Sequence, residues 1–498
     1  MIYSIINIGN TCFLPPGKKI PRQAFHRQVQ TEVPERFRQK MERLAFFHLT
    51  IFVRNFAGAG KKEDTMKKQS LFKQFFTYVS LNICGMIGLS CYILADTFFV
   101  SNGLGTSGLT ALNLAIPVYS IVHGCGLMLG MGGATKYSIF RGQADSENAS
   151  RTFSAVLFFT SVLAFLFVLA GLFLSRPLTV LLGADNDVFS MTHTYLTVIL
   201  LFAPAFMLND VFICFVRNDG NPALSMAAML TGSFSNIILD YIFIFPLNMG
   251  ILGAVLATGI APLISMSILS VHGIRKKHHF HWIRHRISVR LMANILSLGI
   301  PSLVTEIASA IVMIAFNSIL LSLCGNTGVA AYGVIANLSL VVTSIYTGIA
   351  QGTQPITSRA YGRGDRNTMK RALQYAVCCS LAISALIYLL FFFGAEAITS
   401  VLNSERDISL QYIAVSGLKI YFTAIPFAGF NIILSTYFTT IEKTLPAQVI
   451  SLARALFVIL PAVFLLSSAF GVTGVWLSYP VTEAVVCLAG VWLQQKGI

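Results

Sequence analysis

Apolar stretches of about 20 residues recur through most of this chain, each long enough to cross a hydrocarbon core of roughly 30 Å. Inside that medium a backbone has to satisfy its own N–H and C=O groups, so runs of this length read as membrane-spanning helices. Of the 498 residues, 55% are hydrophobic and only 11% charged, against roughly 25% charged in a soluble domain. A water-soluble enzyme does not fit that composition. The net charge of +15 does not announce a nucleic-acid partner either, because the basic residues are spread between apolar runs rather than gathered on one folded face. Nine cysteines, all but Cys12 in or beside apolar segments and none at metal-ligand spacing, read as reduced packing residues.

Residues 1–70 are a basic, proline-containing extension without a long apolar run. They are expected to be disordered or to precede the true start, for which Met66 of Met66-Lys67-Lys68-Gln69 is a candidate. From Leu71 onward, hydropathy predicts twelve spans near 73–99, 109–139, 152–174, 188–215, 222–245, 250–273, 291–323, 328–358, 370–393, 409–437, 446–467 and 471–494. The even-numbered loops collect Arg141, Arg151, Arg217, Arg359, Arg363 and Arg366, whereas the opposite side holds Arg176 and Arg406. The positive-inside bias therefore places both termini in the cytosol and the chain in the cytoplasmic membrane.

The longest polar connection, 275–290, divides a front half (71–274) from a rear half (291–498). Its run His278-His279-Phe280-His281 has no nearby acidic or cysteine partner in sequence and reads as a basic cytosolic linker near anionic headgroups. The halves repeat: Gly105 recurs as Gly325 (325 − 105 = 220), and the same offset carries Gly132 to Gly352, Gly142 to Gly362, Asp145 to Asp365 and Arg151 to Arg371. Six spans per repeat, an even number, give both halves one orientation and relate them about an axis along the membrane normal. Two bundles rocking about a central cavity follow from that duplication.

A carboxylate inside a span is costly and therefore a functional candidate. Asp96, Asp210, Asp240, Glu306 and Glu483 qualify; Glu483 is expected toward the cytosolic end and set aside. Asn236 and Asp240 are four residues apart and share a helix face, which aims an amide oxygen and a carboxylate at one point. Such a set suits Na⁺ or, once desolvated, a proton, and the residues leave the two open. Asp96 supplies a second carboxylate if the first and fifth spans pack together. Asp210 and Asn209 point about 100° apart, so at most one of them faces that site. Glu306 stands alone in an apolar stretch, where it can pair with a cationic substrate or exchange a proton. No catalytic constellation emerges: His123, His193 and His272 lack a hydrolase or metalloprotease context, and Gly130-Met131-Gly132-Gly133 has no following Gly-Lys-Ser/Thr. Transport without an ATP-binding module draws on an ion gradient.

Six strings carry a resemblance: Ala95-Asp96-Thr97-Phe98-Phe99-Val100, Gly130-Met131-Gly132-Gly133-Ala134-Thr135, Val216-Arg217-Asn218-Asp219-Gly220-Asn221-Pro222, Asn236-Ile237-Ile238-Leu239-Asp240, Gly250-Ile251-Leu252-Gly253-Ala254-Val255-Leu256-Ala257-Thr258 and Gly352-Thr353-Gln354-Pro355. With them the chain resembles the multidrug and toxic compound extrusion (MATE) family, in its bacterial MepA-like branch. The resemblance implies an all-α polytopic membrane protein with twelve helices in two six-helix pseudo-symmetric lobes. It implies a monomeric antiporter, not an enzyme, that exports amphipathic, often cationic organic compounds in exchange for Na⁺ or H⁺ and needs no other cofactor. The family's cation-site positions fall on Asp96, Asn209, Asn236, Asp240 and Thr258, and its cavity-facing acid on Glu306. Two departures stand out: the first span has no proline, and the tenth has no carboxylate. A lipid-linked oligosaccharide flippase is the rival within transport, although few cations inside spans (Lys136, Lys419, Arg454) are at hand for a pyrophosphate. A membrane-embedded acyltransferase is the rival among enzymes.

Overall fold

The structure, a computed structural model, describes residues 70–274, 278–283, 288–403 and 407–496. Most of the basic extension and part of the 275–290 linker thus lie outside the described residues. Those described fold into helices: α1 Leu71–Gly142, α2 Ser146–Phe173, α3 Ser175–Leu181, α4 Phe189–Leu201, α5 Ala203–Asn218, α6 Pro222–Ile244, α7 Gly250–Ile274, α8 Val289–Gly362, α9 Arg366–Leu402, α10 Ile408–Tyr421, α11 Ile425–Thr440, α12 Thr444–Leu452 and α13 Ile459–Gln495. A short 3₁₀ turn (Phe422–Ala424) joins α10 to α11, and a π turn (Ala453–Phe457) joins α12 to α13.

Helix α1 has 72 residues, about 108 Å at 1.5 Å per residue, far more than one crossing. The chain turns inside it at Gly105 (φ 69°), inside α8 at Gly325 (φ 62°) and inside α13 at Gly471 (φ 57°), each a positive φ that glycine adopts without a Cβ clash. Among the described residues, eight helical runs are long and apolar enough to cross a membrane, or nine with α4 and α5 joined across their 48° bend. Each of the twelve predicted spans lies in one of these runs, with α1, α8 and the α12–α13 run holding two apiece.

In α2 large apolar side chains are turned outward and small ones inward. Helix α2 exposes Phe158, Phe165, Leu166 and Phe173 while burying Ala155, Val156, Ala164 and Gly171. Lipid rewards no apolar burial, so small residues set how closely helices approach. The duplication is visible in the same details. Asp145 and Asp365 each cap the following helix, accepting from Asn148 N and Thr368 N at 3.0 Å.

The two halves meet backbone to backbone at the end that carries the basic loops. Gly142 lies against the Arg359 carbonyl and Gly362 against the Ile139 carbonyl; Gly132 lies against Ile295 and Gly352 against Val79. No side chain fits at these positions. Polar bonds across the halves gather there too: Arg217 Nη1 donates to Gln351 Oε1 (2.7 Å), Asn218 Nδ2 to Gln354 Oε1 (2.9 Å) and Gln354 Nε2 to Thr135 Oγ1 (2.9 Å). Lys136 Nζ meets Glu442 at 2.5 Å, and deeper in the bundle Ser90 bonds Ser344 (2.6 Å).

Arg217 corrects a sequence expectation. It is not a loop charge in water but is fully buried, held by Asn82 Oδ1 (2.9 Å), Gln351 Oε1 and the sulfurs of Met131 and Cys214. The linker corrects another, because it docks onto the front half. Phe280 is buried among Phe153, Phe215 and Tyr137, and the His279 and Ile283 amides donate to Asp219 Oδ2 (2.9 Å) and Ser154 Oγ (2.8 Å).

Candidate functional site

Asp96 sits in the first arm of α1 and Asp240 near the end of α6, helices that pack side by side. Both are buried, and their carboxyl groups come within hydrogen-bonding reach of each other. Asn236, one turn before Asp240, is fully buried. Its amide meets its surroundings best with Nδ2 donating to Asp240 Oδ2 (3.0 Å) and its oxygen accepting from Thr258 N (3.3 Å). The Thr258 hydroxyl donates to the Ala254 carbonyl (3.1 Å), and Tyr195 of α4, also buried, bonds Thr258.

Asp96, Asn236, Asp240 and Thr258 are thus brought together. One oxygen of each carboxylate, Asp96 Oδ1 and Asp240 Oδ1, is buried with no hydrogen-bond partner. Two ionised carboxylates this close repel each other, and a shared proton or a cation between them removes the repulsion. The donor set is all oxygen once Asn236 turns its amide carbonyl inward, which suits a hard cation. Among the described residues no group of three or more His, Cys, Asp or Glu side chains forms a metal cluster. A monovalent cation or a proton needs no such cluster.

Asn209 does not join this set through any hydrogen bond: its Oδ1 is buried and unpartnered. Its neighbour Asp210 faces elsewhere, with Oδ2 2.9 Å from His123 Nδ1. Glu306, half-buried in the first arm of α8, lies beside Gly124 of α1, where a Cβ would come within 3.2 Å of the Glu306 Cβ.

The partners of three titratable groups escaped sequence reasoning. His123 was legible in part, since Tyr119 and His123 share a helix face at i, i+4, a spacing that stacks their rings (5.7 Å, 6°). Asp219 was hidden by distance, because its partners come from other elements. It accepts from Tyr137 Oη (2.5 Å), His272 Nε2 (2.9 Å), and the His279 ring (3.1 Å) and amide. Burial alone would raise its pKa, but the bonds from His272, His279 and Tyr137 outweigh that and hold the carboxyl well below the usual range. The linker histidines therefore do have an acidic partner, contrary to the sequence reading. Glu483 is the third: it lies mid-helix in α13 and is buried. Its Oε1 accepts from Arg454 Nη2 (2.7 Å) and Nε (3.2 Å), and its Oε2 from Asn431 Nδ2 (2.7 Å).

The MatE family model matches residues 83–242 and 301–464, once in each half. The Multidrug export protein MepA of Staphylococcus saprophyticus is 23% identical over 427 residues, 85% of this chain and 93% of that protein. A FAD transporter of Shewanella oneidensis is 26% identical over 429 residues, 83% of this chain and 92% of that protein. Among solved structures, an outward-facing multidrug resistance MATE transporter of the MOP superfamily superposes with a TM-score of 0.81 at 23% identity, covering 86% of this chain and 96% of that one. A MOP superfamily transporter from Pyrococcus furiosus, described as having a binding pocket of reversed polarity, gives 0.80 with the same coverage. An all-helical, duplicated membrane fold, with a family match that spans most of the 71–498 region and falls once in each repeat, makes this chain a multi-pass membrane transporter of the MatE family.

Proposed function

We propose that the chain is a secondary antiporter that exports amphipathic, often cationic organic compounds in exchange for Na⁺ or H⁺, by rocking of its two halves. The observation that carries the reading is the buried Asp96–Asp240 pair, whose unpartnered oxygens and Asn236 and Thr258 neighbours form a seat for one positive charge. With the basic loops in the cytosol, the glycine contacts close the cytosolic end, so this is the outward-facing arrangement. Cation binding at the pair favours one arrangement and substrate the other, and coupling consists of that difference in affinity. Each charge crossing 100 mV supplies about 2.3 kcal/mol.

A cationic substrate fits the charges better than an anionic one such as the compound named for the Shewanella relative. Glu306 stands at the boundary between the halves and Asp210 faces only the titratable His123, whereas Arg454 is neutralised by Glu483. The test is efflux of a fluorescent organic cation from proteoliposomes, with the Na⁺ and H⁺ gradients collapsed separately. Export should stop with one gradient and not the other, and Asp240→Asn should abolish the dependence. Unchanged, gradient-dependent export by Asp240→Asn refutes the reading.

A further inference from the structure

Away from the carboxylate pair, a second set of charges lies where the halves touch. His123 of α1 places Nδ1 2.9 Å from Asp210 Oδ2 of α5, with side-chain exposures of 16% and 8%. At that separation, in so enclosed a place, a protonated imidazole would rest its charge against the carboxylate. Two glycines clear the room: a Cβ at Gly126 would lie 2.6 Å from Asp210 Oδ2, and one at Gly124 2.9 Å from Leu303 Cδ1. Gly124 thereby lets the helix that carries Glu306 pack directly beside His123, and the Glu306 charge acts on both His123 and Asp210. The imidazole is stacked on the parallel ring of Tyr119, whose hydroxyl sits 3.2 Å from that of Tyr92, one turn before Asp96.

We propose that His123, Asp210 and Glu306 form a second exchange centre, in which a proton on His123 and a monovalent organic cation compete for the same two carboxylates. The proposal rests on the antiport reading and adds a site to it. In charge terms the exchange is neutral. With His123 protonated, one positive charge faces the two carboxylates. When an organic monocation enters between Glu306 and Asp210, the ion pair of His123 with Asp210 is broken and the His123 proton leaves to water, so the cluster keeps its net charge of minus one. Tyr119 and Tyr92 offer aromatic faces to the incoming cation.

The two states differ in what they do to the halves. A proton on His123 satisfies Asp210 within the front half alone. An organic cation that touches both carboxylates ties the front half to the rear half through Glu306. The titratable groups that act on His123 are Asp210 of α5 and Glu306 of α8, with Tyr119 facing its ring, so those two acids set the competition.

The test uses the full-length protein in nanodiscs, with tetraphenylphosphonium as probe and a pH indicator in weak buffer. In Asp240→Asn, which lacks the first site, probe binding should still release about one proton, and its affinity should fall up to about tenfold per pH unit of acidification. Adding His123→Gln should remove both effects. In ¹⁵N-histidine spectra of the wild type, one imidazolium signal should become neutral when the probe binds. If the probe binds Asp240→Asn but His123→Gln changes neither proton release nor pH dependence, or if no histidine signal responds in the wild type, the second centre is refuted while antiport stands. If the wild type does not bind the probe at all, both readings fall.

Discussion

The front and rear halves share a fold and a repeat offset, yet they treat buried charge in opposite ways. In the front half Asp96 and Asp240 face each other with no fixed cation beside them, and an oxygen of each lacks a partner. In the rear half Glu483 holds a permanent counter-charge, the Arg454 guanidinium, and a second bond from Asn431. At the offset that relates Gly105 to Gly325, Asp96 corresponds to Phe316, which is fully buried. One half thus keeps a negative site that a mobile charge can fill, and the other carries its charge built in. Duplication supplied two scaffolds, and side-chain replacement left the acidic pair of the front half without the built-in counter-charge of the rear half. The π turn at Ala453–Phe457, where Arg454 sits, is the local backbone change that accompanies the difference.

The comparison breaks most decisively at Asp240. Asp240→Asn should lower ion-coupled export tenfold or more, on the order of the usual coupling energies, with fold and expression retained; transport in reconstituted vesicles checks it. The counterpart experiment is in the rear half. Arg454→Met or Glu483→Leu alone should destabilise the protein by about 3–5 kcal/mol, because each leaves a buried charge unpaired, while the double variant should recover most of that. Thermal unfolding in detergent reads the stability, and ion dependence of export should survive in the double variant. Loss of ion dependence there would show that the rear pair is more than a fixed one.

A smaller effect is expected where the linker is pinned. Asp219→Ala should cost about 2–3 kcal/mol, since the donors of Tyr137, His272 and His279 lose a buried acceptor. It should also release residues 279–283 to hydrogen exchange. The folded Asp219 carboxyl titrates below the unfolded value of about 3.9. Its contribution is therefore fully present above that value and fades as pH falls through the lower, folded one. Protection of the linker amides should hold from neutral pH to about 5 and be lost only in stronger acid. Smallest is the bond across the halves at the Ser90 and Ser344 hydroxyls. Ser90→Ala should weaken closure of the basic end by about 1 kcal/mol, measured as faster labelling of a cysteine placed at Gln74 from the cytosolic side.

Much of the site was readable beforehand because its logic is local or is set by the solvent. Asn236 and Asp240 sit four apart on one helix, and any acid within an apolar run is conspicuous, so Asp96 and Glu306 were visible as well. The contacts of Asp210 were not, since the 100° step between neighbours shows only that Asn209 and Asp210 diverge, not which partner waits on either side. His123 looked isolated for the same reason, as its acidic partner is 87 residues downstream (210 − 123). Arg217 resembled an ordinary loop cation because charge counting cannot tell a solvated arginine from one buried under Asn82 and Gln351.

The sequence by itself determined that this chain crosses a membrane many times, that its halves are copies, and which few acids it keeps in apolar surroundings. Hydrocarbon leaves the backbone no partner but itself, and that requirement is written in composition and spacing. Only the tertiary structure decided which charges meet: Asp96 with Asp240, Asp210 with His123, Glu483 with Arg454, and Asp219 with the linker. Those pairings depend on how helices remote in sequence pack, and that packing is fixed by small residues such as Gly124, Gly132 and Gly362, whose fit shows only when the facing helix is in place.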